Sequence, residues 1–551
     1  MTGLAEAFER IGSFLEHRLP LLHAPGAALA VTDREEILGV VVRGFADVAA
    51  GVPVRPETRF EIGSISKSFA AILAMQEVEA GRLDLHAPIG ELLPWLDLEQ
   101  PFGPITTHHL LTHTSGLAIG TEDAPTGPGA LWLLRSVPPR FPPGERFHYS
   151  NDGYKLVGAI LERLTGRRVP DLLRERIFTP LGMASTDGRI TNATRRDLAV
   201  GYSTIFDDRP AQRHHELVPA TWTVSSTADG SIVSNVVDMS AYARLLLNRG
   251  AAADGTRVLS DEAFATFTRP SIDEPAEERE VPGRYAYGLS VGVRDGRAIL
   301  THSGGMVGYT ALLMVEPDEG LGCVMLLNGG GDRVGTVGYA LDAVSSAIRD
   351  EDLPEVTHPP DPASVEDAVD YEGGYRSGDR ELRVEARDGG LVFVDGEVEA
   401  VLEREPLTDG RYRDRFLVVD RELDLYPLVF GRRDGRVVEA THGPRRFSRD
   451  GDDPAFSPGA RDDWRRLEGL YRSHDPWDPV LRIYARGGRL FLFSPGAEEE
   501  WPLAPLEDGW FVAGDPWAPR RIRFLGDVDE RAVVAELNGG RWYRSHEDEV
   551  T

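Results

Sequence analysis

Residues 60–73 read FEIGSISKSFAAIL, and two of them, Ser64 and Lys67, govern the reading of the whole chain. They stand three apart at the head of an apolar run. Ile65, Phe69, Ile72, Leu73 and Met75 recur near helical spacing and Gly81 supplies a stop, so a helix is predicted over 64–80. Three residues along a helix bring two side chains to one face, about one turn apart. A serine hydroxyl is a poor nucleophile near neutrality and needs an adjacent base. A lysine desolvated beneath it can lose its charge and take or relay that proton. The helix N-terminus adds N–H groups and a positive dipole end, which suit a developing oxyanion. Alone, the string is weak, because a capping serine followed by a solvated lysine spells the same pattern. Composition adds weight: of 60 basic residues, only Lys67 and Lys155 are lysine. Arginine stays charged where a buried lysine need not. A general arginine bias with two survivors is the competing explanation.

Three further strings carry chemistry. Residues 141–156, FPPGERFHYSNDGYKL, place Tyr149, Ser150 and Asn151 just before a second helical pattern. A phenol near a lysine can shuttle a proton to a leaving group, and an amide can orient lysine and substrate. The plainer reading is a turn with Asn151 or Asp152 as helix N-cap. Residues 299–310, ILTHSGGMVGYT, put His302, Ser303, Gly304 and Gly305 at a strand end. A strand beside a nucleophile can offer backbone N–H groups, and glycine allows close approach. As a lone feature, His302 reads as a hydrogen-bonded structural histidine. In ITTHHLLTHTSGL, residues 105–117, His109 and His113 have the i, i+4 spacing of a helical metal pair, but no glutamate lies between them and no third ligand is evident. Packing and a turn at Gly116 are the preferred reading.

Around these strings the first 350 residues mix patterns. Two β-rich runs, 26–32 and 38–43, flank the polar turn DREE as a hairpin. Helices are predicted at 154–165 and 237–248, the latter capped by Ser234 or Asn235, and at 334–349. Strands are predicted at 287–293, 298–301, 309–315 and 322–327. This reads as an α/β domain, a mixed and mainly antiparallel sheet built from both ends of the segment, with a helical insertion. Residues 351–370 are acidic and proline-rich and read as a linker. Beyond them come short alternating strands, and the pattern repeats: YEGGYRS at 371–377 matches LEGLYRS at 467–473, and LRVEA at 382–386 matches LRIYA at 481–485. Two units are predicted, 371–449 and 467–551, separated by a loose segment over 450–466. Each has room for six to eight strands of a small antiparallel β-barrel.

The bulk numbers exclude several classes. The 551 residues suit three or four domains, and 41% hydrophobic with 27% charged residues suits a folded chain. A net charge of −29 argues against a nucleic-acid or anionic-membrane partner. Cys323 stands alone, which excludes an internal disulfide or a cysteine zinc cluster. The charged residues interrupting the N-terminal apolar stretches read as neither signal peptide nor membrane span, so a cytoplasmic location is expected. NGGGDRVG at 328–335 lacks both GxGxxG spacing and a Walker lysine.

Taken together, SxxK at Ser64, YSN at Tyr149 and HSGG at His302 resemble the serine β-lactamase and penicillin-binding-protein superfamily, in its class C β-lactamase-related branch. LLTHTSGL, ERIFTPLGM at 175–183 and HSGGMVGY look like that branch too. The resemblance covers about residues 20–350, and the paired barrels resemble the bacterial D-aminopeptidase arrangement. It implies Ser64 as acylated nucleophile, Lys67 as proton acceptor or relay, Tyr149 as base/acid partner and Asn151 as orienting amide. His302 and Ser303 would stand where many relatives carry Lys-Thr, and the N–H groups of Ser64 and Gly305 would form the oxyanion hole beside Gly304. The expected substrate is a small molecule or short peptide, with no metal or organic cofactor and a homodimer left open. Histidine in place of lysine reduces fixed charge for a substrate carboxylate, which disfavours β-lactam hydrolysis. A D-aminopeptidase-like amide or peptide hydrolase is the expected activity. Carboxylesterase, β-lactamase or a non-catalytic binding protein that kept the fold are the alternatives. The acidic loop SPGAEEEW, 494–501, is a candidate attractor for a substrate ammonium or a plain solvated hairpin.

Overall fold

The structure, a computed structural model, describes the chain except residues 1–2, 22, 121–126, 276–282, 332, 379, 405–411, 450–463, 498, 507–508, 515–519 and 546–551. The predicted loose segment 450–466 therefore lies largely outside the described residues. Two compact units emerge: 1–203 with 217–358, and 204–216 with 359–551. The segment 204–216, read from sequence as interior to the first domain, belongs to the second unit.

The first unit is built on a nine-stranded antiparallel sheet. Its strands are β1 (Gly26–Thr32), β2 (Ile37–Asp47), β3 (Val52–Pro53), β4 (Ile272–Asp273), β5 (Gly283–Tyr285), β6 (Ser290–Arg294), β7 (Arg297–Met306), β8 (Tyr309–Glu316) and β9 (Leu321–Leu327). Their spatial order is β3-β2-β1-β9-β8-β7-β6-β5-β4, so the chain's early and late strands meet at β1 and β9. Ala27 pairs with Leu327 and Thr32 with Gly322. Strand β1 is buried along its whole length because both faces are covered, and alternate residues serve two layers. Ala27, Leu29 and Val31 join Cys323, Met325 and Leu327 in one core with α1 (Gly3–Arg18). Ala28 and Ala30 join Val324 and Leu326 in the larger core with α2 (Ser66–Glu79). That is why the sequence here is an unbroken apolar run rather than an alternating one.

The helical insertion carries α2 and α3 (Asn151–Thr165), while α4 (Val236–Leu247) packs on β1 and β9. The last helix, α5 (Arg333–Ile348), packs against α1. Helix α2 is buried on all sides from Ser66 to Met75, which makes it the axis of this layer rather than an amphipathic surface helix. Ser150, not Asn151 or Asp152, is the N-cap of α3, and Asn235 caps α4. Strand β7 is longer than predicted and runs through His302–Gly305 to Met306.

In the second unit, eight strands from Gly373–Ser377 to Arg445–Arg449 close into one antiparallel barrel, and eight from Gly469–Arg472 to Gly540–Arg544 into another. The sequence repeat reappears as repeated bonds. Tyr375 donates its hydroxyl to the Tyr371 carbonyl at 2.6 Å, and Tyr471 does the same to Leu467 at 2.8 Å. Arg449 and Arg544 bind the corresponding carbonyls, Glu372 and Glu468, across the closing seam. Segment 204–216 is held to the first barrel by Arg209 and His215, both on the fully buried Asp424, at 2.6 and 3.1 Å.

Candidate active site

The predicted Ser64–Lys67 pair forms as expected, but through a more constrained backbone than a plain helix start. Gly63–Ile65 is a single 3₁₀ turn feeding α2. Gly63 has φ +52°, and a Cβ there would lie 2.5 Å from the Gly305 carbonyl oxygen and 2.6 Å from its nitrogen. Gly304 is tighter still: its Cβ would sit 1.9 Å from the Ile62 carbonyl oxygen and 3.4 Å from the Ser64 nitrogen. Two glycines therefore let β7 and the serine turn touch backbone to backbone. β6 stops pairing with β7 at Thr301, so the strand edge beyond it faces the turn. The N and O of Gly305 both lie on that side.

Lys67 is fully buried. Its Nζ lies 2.9 Å from Ser64 Oγ, 2.8 Å from Asn151 Oδ1 and 2.9 Å from the Asp229 carbonyl oxygen. Among the described residues it meets no carboxylate. Two of these three oxygens can only accept, so two N–H groups satisfy them. The third direction points at the Ser64 hydroxyl, which accepts from the amine and can itself donate. Lys155, the other lysine, is a different object: it is paired with Asp152 at 3.1 Å, both side chains buried.

Tyr149 is half-buried, with Lys67 Nζ 4.8 Å from its ring centroid. Its position is set by the LLTHTSGL segment, which the sequence reading treated as packing. His113 accepts the Ser150 N–H on Nδ1 at 3.0 Å, and its carbonyl accepts the His148 N–H at 2.7 Å. His148 Nδ1 donates to the Leu117 carbonyl at 2.7 Å, Ser150 Oγ to Ala118 at 2.6 Å, and the Asn151 N–H to Ile119 at 2.6 Å. The His113 ring lies 4.2 Å from that of Tyr149. One splint thus pins His148, Ser150 and Asn151, the residues that flank Tyr149. Only the repeated polar-apolar texture of LLTHTSGL could have signalled this. His109 and His113 do not converge: His109 Nδ1 accepts the Thr106 N–H, and the helix Thr107–Leu111 ends before His113.

His302 is buried, and both its ring nitrogens are engaged within the fold. Nδ1 donates to the Ser303 carbonyl at 2.6 Å, and Nε2 pairs with the Tyr285 hydroxyl at 2.9 Å. Burial raises the neighbouring Tyr154 phenol well above its usual range. Gly288, with φ +71°, sits against the Lys67 carbonyl and closes the site from the β5–β6 side. Ser64, Lys67, Tyr149, Asn151, His302, Gly304 and Gly305 are thus brought into one locale, together with Ser303 on the same strand. The sequence reading missed His113, Tyr285, Gly63 and the Asp229 carbonyl. In the second unit Glu500 of the acidic loop is bound by Tyr484 and Arg486 at the base of its hairpin, which fits the plain reading of that loop.

The beta-lactamase family profile matches residues 15–345. Over 322 residues the chain is 32% identical to penicillin-binding protein 4 of Amycolatopsis lactamdurans, covering 56% of this chain and 82% of that protein. It is 28% identical to a D-aminopeptidase of Cereibacter sphaeroides over 322 residues, 56% of this chain and 57% of that protein. Among solved structures, the octameric penicillin-binding protein homologue from Pyrococcus abyssi matches with a TM-score of 0.58 at 24% identity, over 80% of this chain and 99% of that one. The D-amino acid amidase from Ochrobactrum anthropi SV3 matches at 0.50 and 24% identity, over 62% and 98%.

Proposed function

Since the chain belongs to the beta-lactamase family and is a serine hydrolase, we propose that Ser64 is its nucleophile and that it cleaves small amides or short peptides in the manner of a D-aminopeptidase. The observation that carries this is the fully buried Lys67 amine, 2.9 Å from Ser64 Oγ and held by Asn151 and the Asp229 carbonyl. In this reading Lys67 takes the Ser64 proton as Oγ attacks the carbonyl carbon. Tyr149, over the same amine, passes a proton to the leaving nitrogen. The N–H groups of Ser64 and Gly305, adjacent because Gly63 and Gly304 lack side chains, hold the oxyanion. Collapse expels the amine and leaves an ester on Ser64, and water activated by the same groups releases the acid. Asn151 keeps the lysine aimed.

The engagement of both His302 nitrogens supports a substrate that brings no carboxylate to that point, and so weighs against a β-lactam. The likeness to a D-aminopeptidase supports an amine-bearing acyl group. Assay of D- and L-aminoacyl p-nitroanilides, short-chain p-nitrophenyl esters and a chromogenic cephalosporin tests the proposal. Turnover of D-aminoacyl anilides above the L-series is expected. Turnover of esters alone would replace it with an esterase, and preference for the cephalosporin would overturn it.

A further inference from the structure

Three residues before Ser64, the chain holds an acid with no role in the mechanism above. Glu61 is only 2% exposed. It lines a cleft of about 90 Å³ in the first unit, together with Trp222, Tyr309, Val307 and Arg195. An orphan donor lies in the same wall: Trp222 Nε1 is buried without a hydrogen-bond partner. Ionising a carboxyl at so buried a position is costly unless a cation meets it. Val307 follows Gly305 by two residues along the chain. The Cα atoms of Glu61 and Ser64 are at most about 11 Å apart by chain length.

We propose that this cleft is a binding site for the protonated primary amine of a small ligand, with Glu61 as its counter-ion. Burial holds the free Glu61 carboxyl protonated up to about pH 8, so at neutrality an arriving ammonium exchanges for the Glu61 proton, which leaves to solvent. The other ionisable groups on the cleft are Arg195 and Tyr309. The Arg195 guanidinium lies 5.3 Å from the Trp222 ring centroid, on an exposed residue. Burial raises the Tyr309 phenol, which leaves Glu61 as the group that titrates. The amine can be the substrate's own or that of a separate molecule. The first case rests on Ser64 being the nucleophile, the second does not.

Calorimetric titration of n-propylammonium chloride into the full-length Ser64→Ala protein tests the site without turnover. At about pH 7 the heat should vary with buffer ionisation enthalpy and report close to one proton released, and at about pH 9.5 that release should vanish. Adding Glu61→Gln should weaken binding about 30-fold and abolish the proton release. With Ser64 intact, an aminoacyl p-nitroanilide and its N-acetylated form separate the two sources. If the substrate supplies the amine, Glu61→Gln raises KM for the free-amine form about 30-fold relative to the capped form. If a separate molecule supplies it, that ratio holds while propylammonium binding is still lost. The proposal is overturned if propylammonium fails to bind, binds equally with Glu61→Gln, or binds at about pH 7 without proton release. Should Glu61→Gln fail to fold, the buffer dependence of Ser64→Ala alone decides. Normal amine binding with no hydrolysis of any substrate would count against the hydrolase reading and leave this site standing.

Discussion

Lys67 shows how little charge compensation the site provides. The amine is fully buried, yet it is met by an amide oxygen, a carbonyl and a hydroxyl rather than by an acid. A buried ammonium without a carboxylate loses most of its hydration and regains only dipoles. The planar fork of an arginine cannot reach three oxygens arranged around one nitrogen. Lys67→Arg should therefore lower kcat/KM about 1,000-fold while the protein still folds, as measured by steady-state kinetics beside circular dichroism. At this scale the sequence was legible where contact is local. Ser64 and Lys67 are one turn apart, and that spacing survives folding. His109 and His113 failed the same arithmetic because His113 has φ +56° and lies past the helix end, so i, i+4 no longer means one face. The Asp229 carbonyl was invisible, since a backbone acceptor leaves no trace in residue type.

Elements place these residues through close backbone contact more than through side-chain fit. The strand expected over 298–301, with His-Ser-Gly-Gly at its end, is carried on to Met306 by pairing with β8. The glycines that argue against a strand are required by its neighbour, the Gly63–Ile65 turn. Gly304→Ala should cost about 1–3 kcal/mol and about 100-fold in kcat/KM, because a methyl group 1.9 Å from the Ile62 carbonyl forces strand and turn apart. Gly90→Ala, with nothing within 4 Å of the new carbon, should be neutral in both unfolding and rate measurements. The apolar runs of β1 and β9 were read correctly because a sheet covered on both faces has no polar side to show.

At the scale of the whole molecule, the duplicated tail was plain from YEGGYRS and LEGLYRS, and the shared tyrosine-to-carbonyl bonds explain why those letters recur. What could not be read was the membership of segment 204–216. Nothing in its composition marks it, and only long-range pairing does: Arg209 and His215 on Asp424, Arg213 on Glu403 and the Gln212 amide on the Val418 carbonyl. Buried carboxylates of this kind are costly to leave with broken pairs. Asp424→Ala in the full-length chain should therefore release the segment, and limited trypsin digestion should cut after Arg213 about tenfold faster than in the unaltered protein. Unchanged protection would mean that the ion pairs do not hold it.

The covalent step is the centre of the account, and the most direct test is mass spectrometry of the chain after exposure to a fluorophosphonate, which is captured by an activated serine. The adduct is predicted on the peptide containing Ser64 and is predicted to be absent from Ser64→Ala. Labelling that persists in Ser64→Ala, or that falls on Ser66 or Ser68 instead, would contradict it.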